Sequence, residues 1–181
     1  GEKDLLPLVE KTLIQMYRGG LFDHIGYGFS RYSTDDRFLV PHFEKMLNDN
    51  ALLIMAYAKA FELTKNALYR EIAEKTALYV MREMTSEQGG FYSAQDADSE
   101  GVEGKYYVFE PGELTRLLGQ EQGLAFCVQY GIMPNGNFEG KSIPNLLSSA
   151  RASQELEELI PLVYKYRRSR AQLHLDDKIL T

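Results

Sequence analysis

Twice this chain stops being helical in the same way, and those stops limit the folds open to it. Gly19-Gly20-Leu21-Phe22-Asp23 and Gly89-Gly90-Phe91-Tyr92-Ser93 stand 70 residues apart, each directly after a helical pattern. Paired glycines end a helix because they lose the most freedom in it and reach conformations that other residues avoid. The aromatic and polar groups behind them cannot all face water, so each stop opens a loop with packing of its own. A period of this length suits an array of helical hairpins with elaborate loops on one side better than a bundle with short turns.

The helices are read from apolar spacing. Leu5, Leu8, Val9, Leu13, Met16 and Tyr17 recur at three and four, with Pro7 tolerated in the first turn. Phe43, Met46, Leu47, Asn50, Ile54, Tyr57, Ala58 and Phe61 predict a second helix, with Leu52, Leu53 and Met55 filling its other faces, so it is expected to be buried on most sides. A third spans about 67–84, amphipathic, with Leu68, Ile72, Thr76, Tyr79 and Val80 inward. Short helices follow at 111–118 and about 121–130, then an irregular stretch over 131–149. The last helical segment starts near Ser153 and must kink or restart at Pro161. Two small hairpins are expected, 29–32 with 37–40 and 90–94 with 105–109.

Composition removes several classes of function. At 181 residues the chain is one domain, 1–181, burying ~70% of its unfolded surface. A net charge of −6 with interspersed signs argues against a nucleic-acid partner. The basic cluster Arg167, Arg168 and Arg170 closes a helix opened by Glu155, Glu157 and Glu158, an order that suits the helix dipole without any phosphate. Cys127 is the single cysteine, which excludes an internal disulfide or a CxxC motif and points to a reducing compartment. The apolar run 51–58 is too short to span a bilayer and no signal pattern opens the chain, so the expectation is a cytoplasmic protein without a membrane partner. Gly1 and Thr181 read as cut ends.

Three groups could carry chemistry. His42 and Glu44, at the start of the second helix, would place an imidazole and a carboxylate at a positive helix end, either for acid/base work or as simple capping charges. Asp23, His24, Arg31 and Tyr32 combine residue types that line pockets for hydroxylated small molecules; the alternative is a hairpin pinned by an Arg to Asp pair. Asp96, Asp98, Glu100 and Gly101 begin like a calcium loop, but Tyr107 stands where the bidentate Glu belongs. They read instead as pocket carboxylates of the kind sugar chemistry uses, or as a solvated turn. Gly136 to Ser142 imitates a phosphate-binding loop one residue short, and Pro144 blocks the helix that should follow.

The runs at 19–24, 29–33, 39–47, 49–53, 89–94, 96–100 and 176–181 together resemble the thioredoxin-domain-containing family of YyaL and spermatogenesis-associated protein 20. The resemblance implies an all-α chain: a partial (α/α) toroid of helical hairpins with short β-hairpins in its loops, similar to six-hairpin glycosidases and N-acylglucosamine 2-epimerases. A thioredoxin-like domain and the rest of the toroid would lie in the parent chain. It further implies a ligand funnel with Asp23, His24, Arg31, Tyr32, His42, Glu44, Tyr92, Asp96 and Asp98 near one mouth. There His42, Glu44, Asp96 and Asp98 would be catalytic, while Asp23, His24, Arg31, Tyr32 and Tyr92 hold substrate. The ligand would be carbohydrate-like, with hydrolase or epimerase chemistry and no metal or other cofactor. The rival expectation is a non-catalytic scaffold accompanying the thioredoxin-like domain. Apolar helix faces left open in a partial toroid predict self-association.

Overall fold

The computed structural model describes residues 5–149 and 151–180; Gly1 and Thr181 lie outside the described residues. Helix α1 (Leu6–Arg18) starts with proline in its first turn and ends where Gly19 turns extended. Helices α2 (Leu47–Thr64) and α3 (Ala67–Glu83) pack together as the principal helical hairpin. Lys65 closes α2 in the left-handed conformation, φ 59°, and the Asn66 side chain accepts from the Leu68 amide at 3.1 Å. So short a connection sends α3 back along α2. Helices α4 (Pro111–Leu118) and α5 (Gln120–Gln129) repeat the arrangement in shorter form, opened by a capping box between Glu110 and Glu113. The last helical segment breaks into α6 (Gln154–Glu157) and α7 (Ile160–Arg170), with Pro161 in the first turn of α7, where its missing amide has no partner to lose.

Short antiparallel sheets join these helices. Strands β1 (Tyr32–Ser33) and β2 (Pro41–His42) pair with each other, as do β5 (Asp98–Ser99) and β6 (Val102–Glu103). Strands β3 (Lys45–Met46), β4 (Phe91–Gln95) and β7 (Leu175–Leu180) form a three-stranded sheet in the order β3-β4-β7. The chain is therefore helix-rich, as expected, but its strands pair differently. The first hairpin joins 32–33 to 41–42, because Asp35 draws the Arg37, Leu39 and Val40 amides into a turn around its carboxylate. The segment 90–94 does not pair with 105–109; it lies between two strands distant in sequence.

The core is unusually aromatic. Phe22 packs tilted against Phe29 at 4.9 Å and Phe29 stacks on Tyr57 at 5.4 Å, joined by Tyr17, Tyr69, Phe109, Phe126 and Tyr130. Tyr57 donates to the Leu13 carbonyl at 2.7 Å, tying α2 to α1 while its ring stays dry. Helix α2 is less buried than its sequence suggests: Leu52, Met55 and Leu63 are exposed, and α1 (Leu8, Val9) and α3 (Leu78, Met81) also show apolar side chains to solvent. The two glycine pairs do different work. A Cβ on Gly19 or Gly20 would lie about 2 Å from the Phe38 or Leu39 carbonyl oxygen, so the first pair permits a close approach. Gly89 stands in open space at φ 88°, so its task is a left-handed turn.

Candidate functional site

The segment 41–45 is extended, and its side chains alternate: Pro41, Phe43 and Lys45 are buried, while His42 and Glu44 are turned outward. This corrects the expected helix start, since α2 begins at Leu47 and neither His42 nor Glu44 benefits from its dipole. Pairing of β3 with β4 and of β4 with β7 then carries Ala94, Asp96 and the 174–176 stretch alongside Glu44. The result is a surface cleft of about 240 Å³ lined by Glu44, Ala94, Asp96, His174, Leu175 and Asp176.

Around this cleft runs a chain of polar contacts. Arg31 Nη1 donates to Glu44 Oε2 at 3.1 Å, and His42 Nε2 lies 3.8 Å from the same oxygen. The other His42 nitrogen, Nδ1, stands 2.8 Å from Glu103 Oε1, and the Tyr32 ring packs against the imidazole at 5.1 Å. Asp96 accepts from the Asp98 amide at 3.3 Å, and its own amide donates to the His174 carbonyl at 2.9 Å. Asp98 faces Glu103 across the β5–β6 hairpin. Asp176 is held below the usual carboxylate range by the Ser93 hydroxyl, at 2.7 Å, and then by the Lys178 amide. Arg31, Tyr32, His42, Glu44, Asp96 and Asp98 are thus gathered around neighbouring strands. Tyr92 pairs with Ile179 in the sheet and does not line the cleft.

Asp23 and His24, placed on the rim by the sequence reading, are inside. Asp23 takes two bonds from Arg167, both 2.8 Å, and a third from Lys45 Nζ at 2.8 Å. It also accepts the Ile25 and Gly26 amides at 3.0 and 2.9 Å. Burial alone would raise this carboxyl, but Arg167 and then Lys45 outweigh it and hold it far below the ordinary range. The Arg to Asp pair anticipated as the alternative exists, but its arginine comes from α7, 144 residues away, rather than from Arg31. Lys45 also donates to the Tyr27 carbonyl at 2.7 Å and sits 4.5 Å over the Tyr79 ring. Burial pushes its ammonium down to about 8 against the pull of Asp23, with Arg167 adding repulsion. His24 lies among Tyr17, Phe22 and Tyr130, its Nε2 3.1 Å from the Gly19 carbonyl, and burial pushes it down to about 4. It is a neutral core residue.

The basic cluster is likewise more than a dipole partner. Arg167 holds Asp23, and Arg170 holds Glu113 and the Tyr106 and Val108 carbonyls, at 3.0, 3.0 and 2.8 Å. Sequence reasoning missed His174, Asp176, Glu103 and Lys45. None of them had a local signal: Lys45 breaks the apolar and polar alternation of 41–44, and the others depend on strand pairing between distant segments. Among the described residues no three His, Cys, Asp or Glu side chains are grouped so as to hold a metal ion, and no helix is long and apolar enough to cross a membrane.

No family model matches the chain. It is similar to spermatogenesis-associated protein 20 of Homo sapiens, 35% identical over 93% of this chain, and to that of Mus musculus, 34% identical over the same share. An uncharacterized protein of Caenorhabditis elegans is 31% identical over 99% of it. The chain spans 26% of the length of the two mammalian proteins and 30% of the nematode one.

Proposed function

The chain belongs to the spermatogenesis-associated protein 20 family, and we propose that it forms part of an (α/α) toroid whose cleft at Glu44 and Asp96 binds and transforms a carbohydrate-like small molecule. One observation carries the reading: Glu44 and Asp96, from separate loops, line one cleft together with His174. Carboxylates from two neighbouring strands can divide the work of general acid and general base, which is what cleavage or epimerisation at a hydroxylated carbon requires. At about 240 Å³ the cleft is near the lower end of small-molecule sites, suited to one sugar ring. Arg31, held by Glu44, and the exposed Tyr32 ring would grip hydroxyls and the ring face. His42, between Glu44 and Glu103, would relay a proton to Glu44, and Asp98 would support Asp96. In the parent chain a thioredoxin-like domain would precede this part of the toroid.

The test is a panel of mono- and disaccharides against the full-length parent, read by ligand-induced thermal shift and by product analysis. Glu44→Gln and Asp96→Asn are expected to abolish turnover of whichever sugar responds, with a loss of about 10²-fold or more. If both variants keep the wild-type response, the cleft is not the site. A non-catalytic scaffold is favoured by one feature, that Glu44 and Glu103 are already bonded to Arg31 and His42. Under that reading no sugar shifts the melting of the parent.

A further inference from the structure

Successive residues of a strand face opposite ways, so that Ala94 of β4 lines the cleft while Gln95 lines a second pocket, of about 220 Å³, together with Glu83, Tyr106, Arg168 and Gln172. Two of these residues are almost wholly buried, Gln95 at 7% exposure and Tyr106 at 6%, and each brings a donor that nothing takes up. Gln95 Oε1 accepts from the Tyr79 hydroxyl at 3.1 Å. Tyr79 is 1% exposed and has no other acceptor among the described residues, which fixes the amide with its oxygen on Tyr79 and its nitrogen unbonded. The Tyr106 hydroxyl is also without a partner among the described residues. Enclosed side-chain atoms that lack a partner there are Tyr107 Oη and Arg167 Nε; the Gln95 nitrogen and the Tyr106 hydroxyl are not enclosed, and the space beside them is this pocket. Buried donors are rarely left unsatisfied, so two of them on one pocket point to a ligand.

The rim decides the chemistry of that ligand. Arg168 and Gln172 are exposed, and neither side chain has a hydrogen bond or ion pair among the described residues. Glu83, the one carboxylate on the wall, is already bonded to Arg82 at 2.5 Å and to the Tyr164 hydroxyl. What remains unengaged is a set of donors, one of them a cation, beside the apolar Ala171 and Leu173. Such a set takes oxygen acceptors bearing negative charge, and a guanidinium fork matches the two oxygens of a carboxylate. A doubly charged phosphate would outweigh the single free cation and meet Glu83. We infer that this pocket binds a small organic carboxylate, its oxygens on the Arg168 guanidinium, the Gln95 amide and the Tyr106 hydroxyl and its carbon skeleton against Ala171 and Leu173. The volume limits the ligand to a compact molecule. This site stands independently of what the cleft binds.

Calorimetric titration of the full-length parent with acetate, butyrate and succinate, and with inorganic phosphate at matched ionic strength, tests it. At least one carboxylate should bind with a dissociation constant of about 1 mM or below, and phosphate about tenfold more weakly or not at all. Arg168→Gln removes the charge at an exposed, unbonded position, and Tyr106→Phe keeps the ring that packs 4.4 Å from the Arg167 guanidinium while deleting the hydroxyl. Each should weaken the carboxylate about fivefold or more, with circular dichroism melts showing that both variants fold. The inference is overturned if none of the carboxylates binds, if phosphate binds as tightly, or if both folded variants bind the carboxylate as wild type does, which would place it elsewhere.

Discussion

Asp23→Asn tests the charge balance on which the interior of this chain depends. The substitution keeps the shape and lets Oδ1 go on accepting the Ile25 and Gly26 amides, now at 3.0 and 2.9 Å, so the turn is spared. What disappears is the counter-charge to Lys45 and Arg167, which are 1% and 2% exposed, and the acceptor Oδ2, since an amide nitrogen then faces the Lys45 and Arg167 Nη2 donors. Removing one partner of a buried ion pair costs about 3–5 kcal/mol. The two cations do not share that cost equally. Lys45, which burial holds down at about 8 even with Asp23 pulling it up, drops further once that pull is gone and can escape by giving up its proton. Arg167 has no such escape, since a guanidinium does not deprotonate in proteins. Most of the loss therefore falls on Arg167. Adding Arg167→Met to Asp23→Asn should recover part of the stability, making the double variant less destabilised than the sum of the singles by more than about 1 kcal/mol. Urea denaturation followed by circular dichroism measures all four corners of the cycle. A cost below about 1 kcal/mol for Asp23→Asn, or additivity within about 0.5 kcal/mol, would refute the reasoning.

Three further outcomes follow from the same geometry. His24 is near 4 in the folded chain and about 6.5 unfolded, so the unfolded state binds the extra proton between those values. Stability should fall by about 3 kcal/mol as pH drops through that window, and His24→Phe should flatten this part of a urea-midpoint profile between pH 7 and 4. Asn50 is fully buried, accepting from the Phe29 amide at 2.7 Å and donating to the Phe29 and Met46 carbonyls at 2.9 Å. Asn50→Ala leaves these groups unpaired and should cost about 2–3 kcal/mol by thermal melting, whereas a loss under about 0.5 kcal/mol would show that the loop has other partners. Gly26→Ala would place a Cβ 2.0 Å from Arg167 Nη2 and should lower the melting temperature much more than Gly89→Ala. The latter strains only a left-handed turn in open space, at about 1 kcal/mol, and equal losses would contradict the packing argument.

How far the sequence carried the reading depended on distance along the chain. The helices were legible because a 3.6-residue period is local, and the restart at Pro161 was legible because proline acts on its own turn. The strands were not. Lys45 and Met46 pair with Gln95 and Ala94, and Gln95 pairs with Leu175, contacts no local pattern encodes. The start of α2 was misplaced because Phe43 continues the helical spacing of Met46, Leu47 and Ile54, although the polar and apolar alternation of 41–44 marks an extended segment. Asp23 and His24 were placed at the surface because polar loop residues usually are. Their burial follows from Arg167 and Lys45, which need a counter-ion, and from a ring of aromatics that takes up a neutral imidazole. The candidate cleft was half legible: Glu44 and Asp96 came from the sequence, His174 and Asp176 only from the pairing of β7.

The buried cluster and the exposed cleft are two faces of one strand segment, and this gives the cluster a task besides stability. Glu44 reaches the cleft only because Lys45 turns inward to Asp23, and His42 faces Glu103 only because Phe43 packs beneath it at 5.3 Å from Tyr107. A slip of one residue would exchange the faces. Lys45 would then enter the cleft, and Glu44 would be driven against Asp23, two carboxylates in a dry interior. That arrangement costs far more than any surface contact could return, since exposed pairs such as Arg31 with Glu44 contribute about 1 kcal/mol or less. The ion cluster therefore acts as a register lock. It is the charged interior, rather than the surface network visible around the cleft, that fixes which side chains the cleft presents.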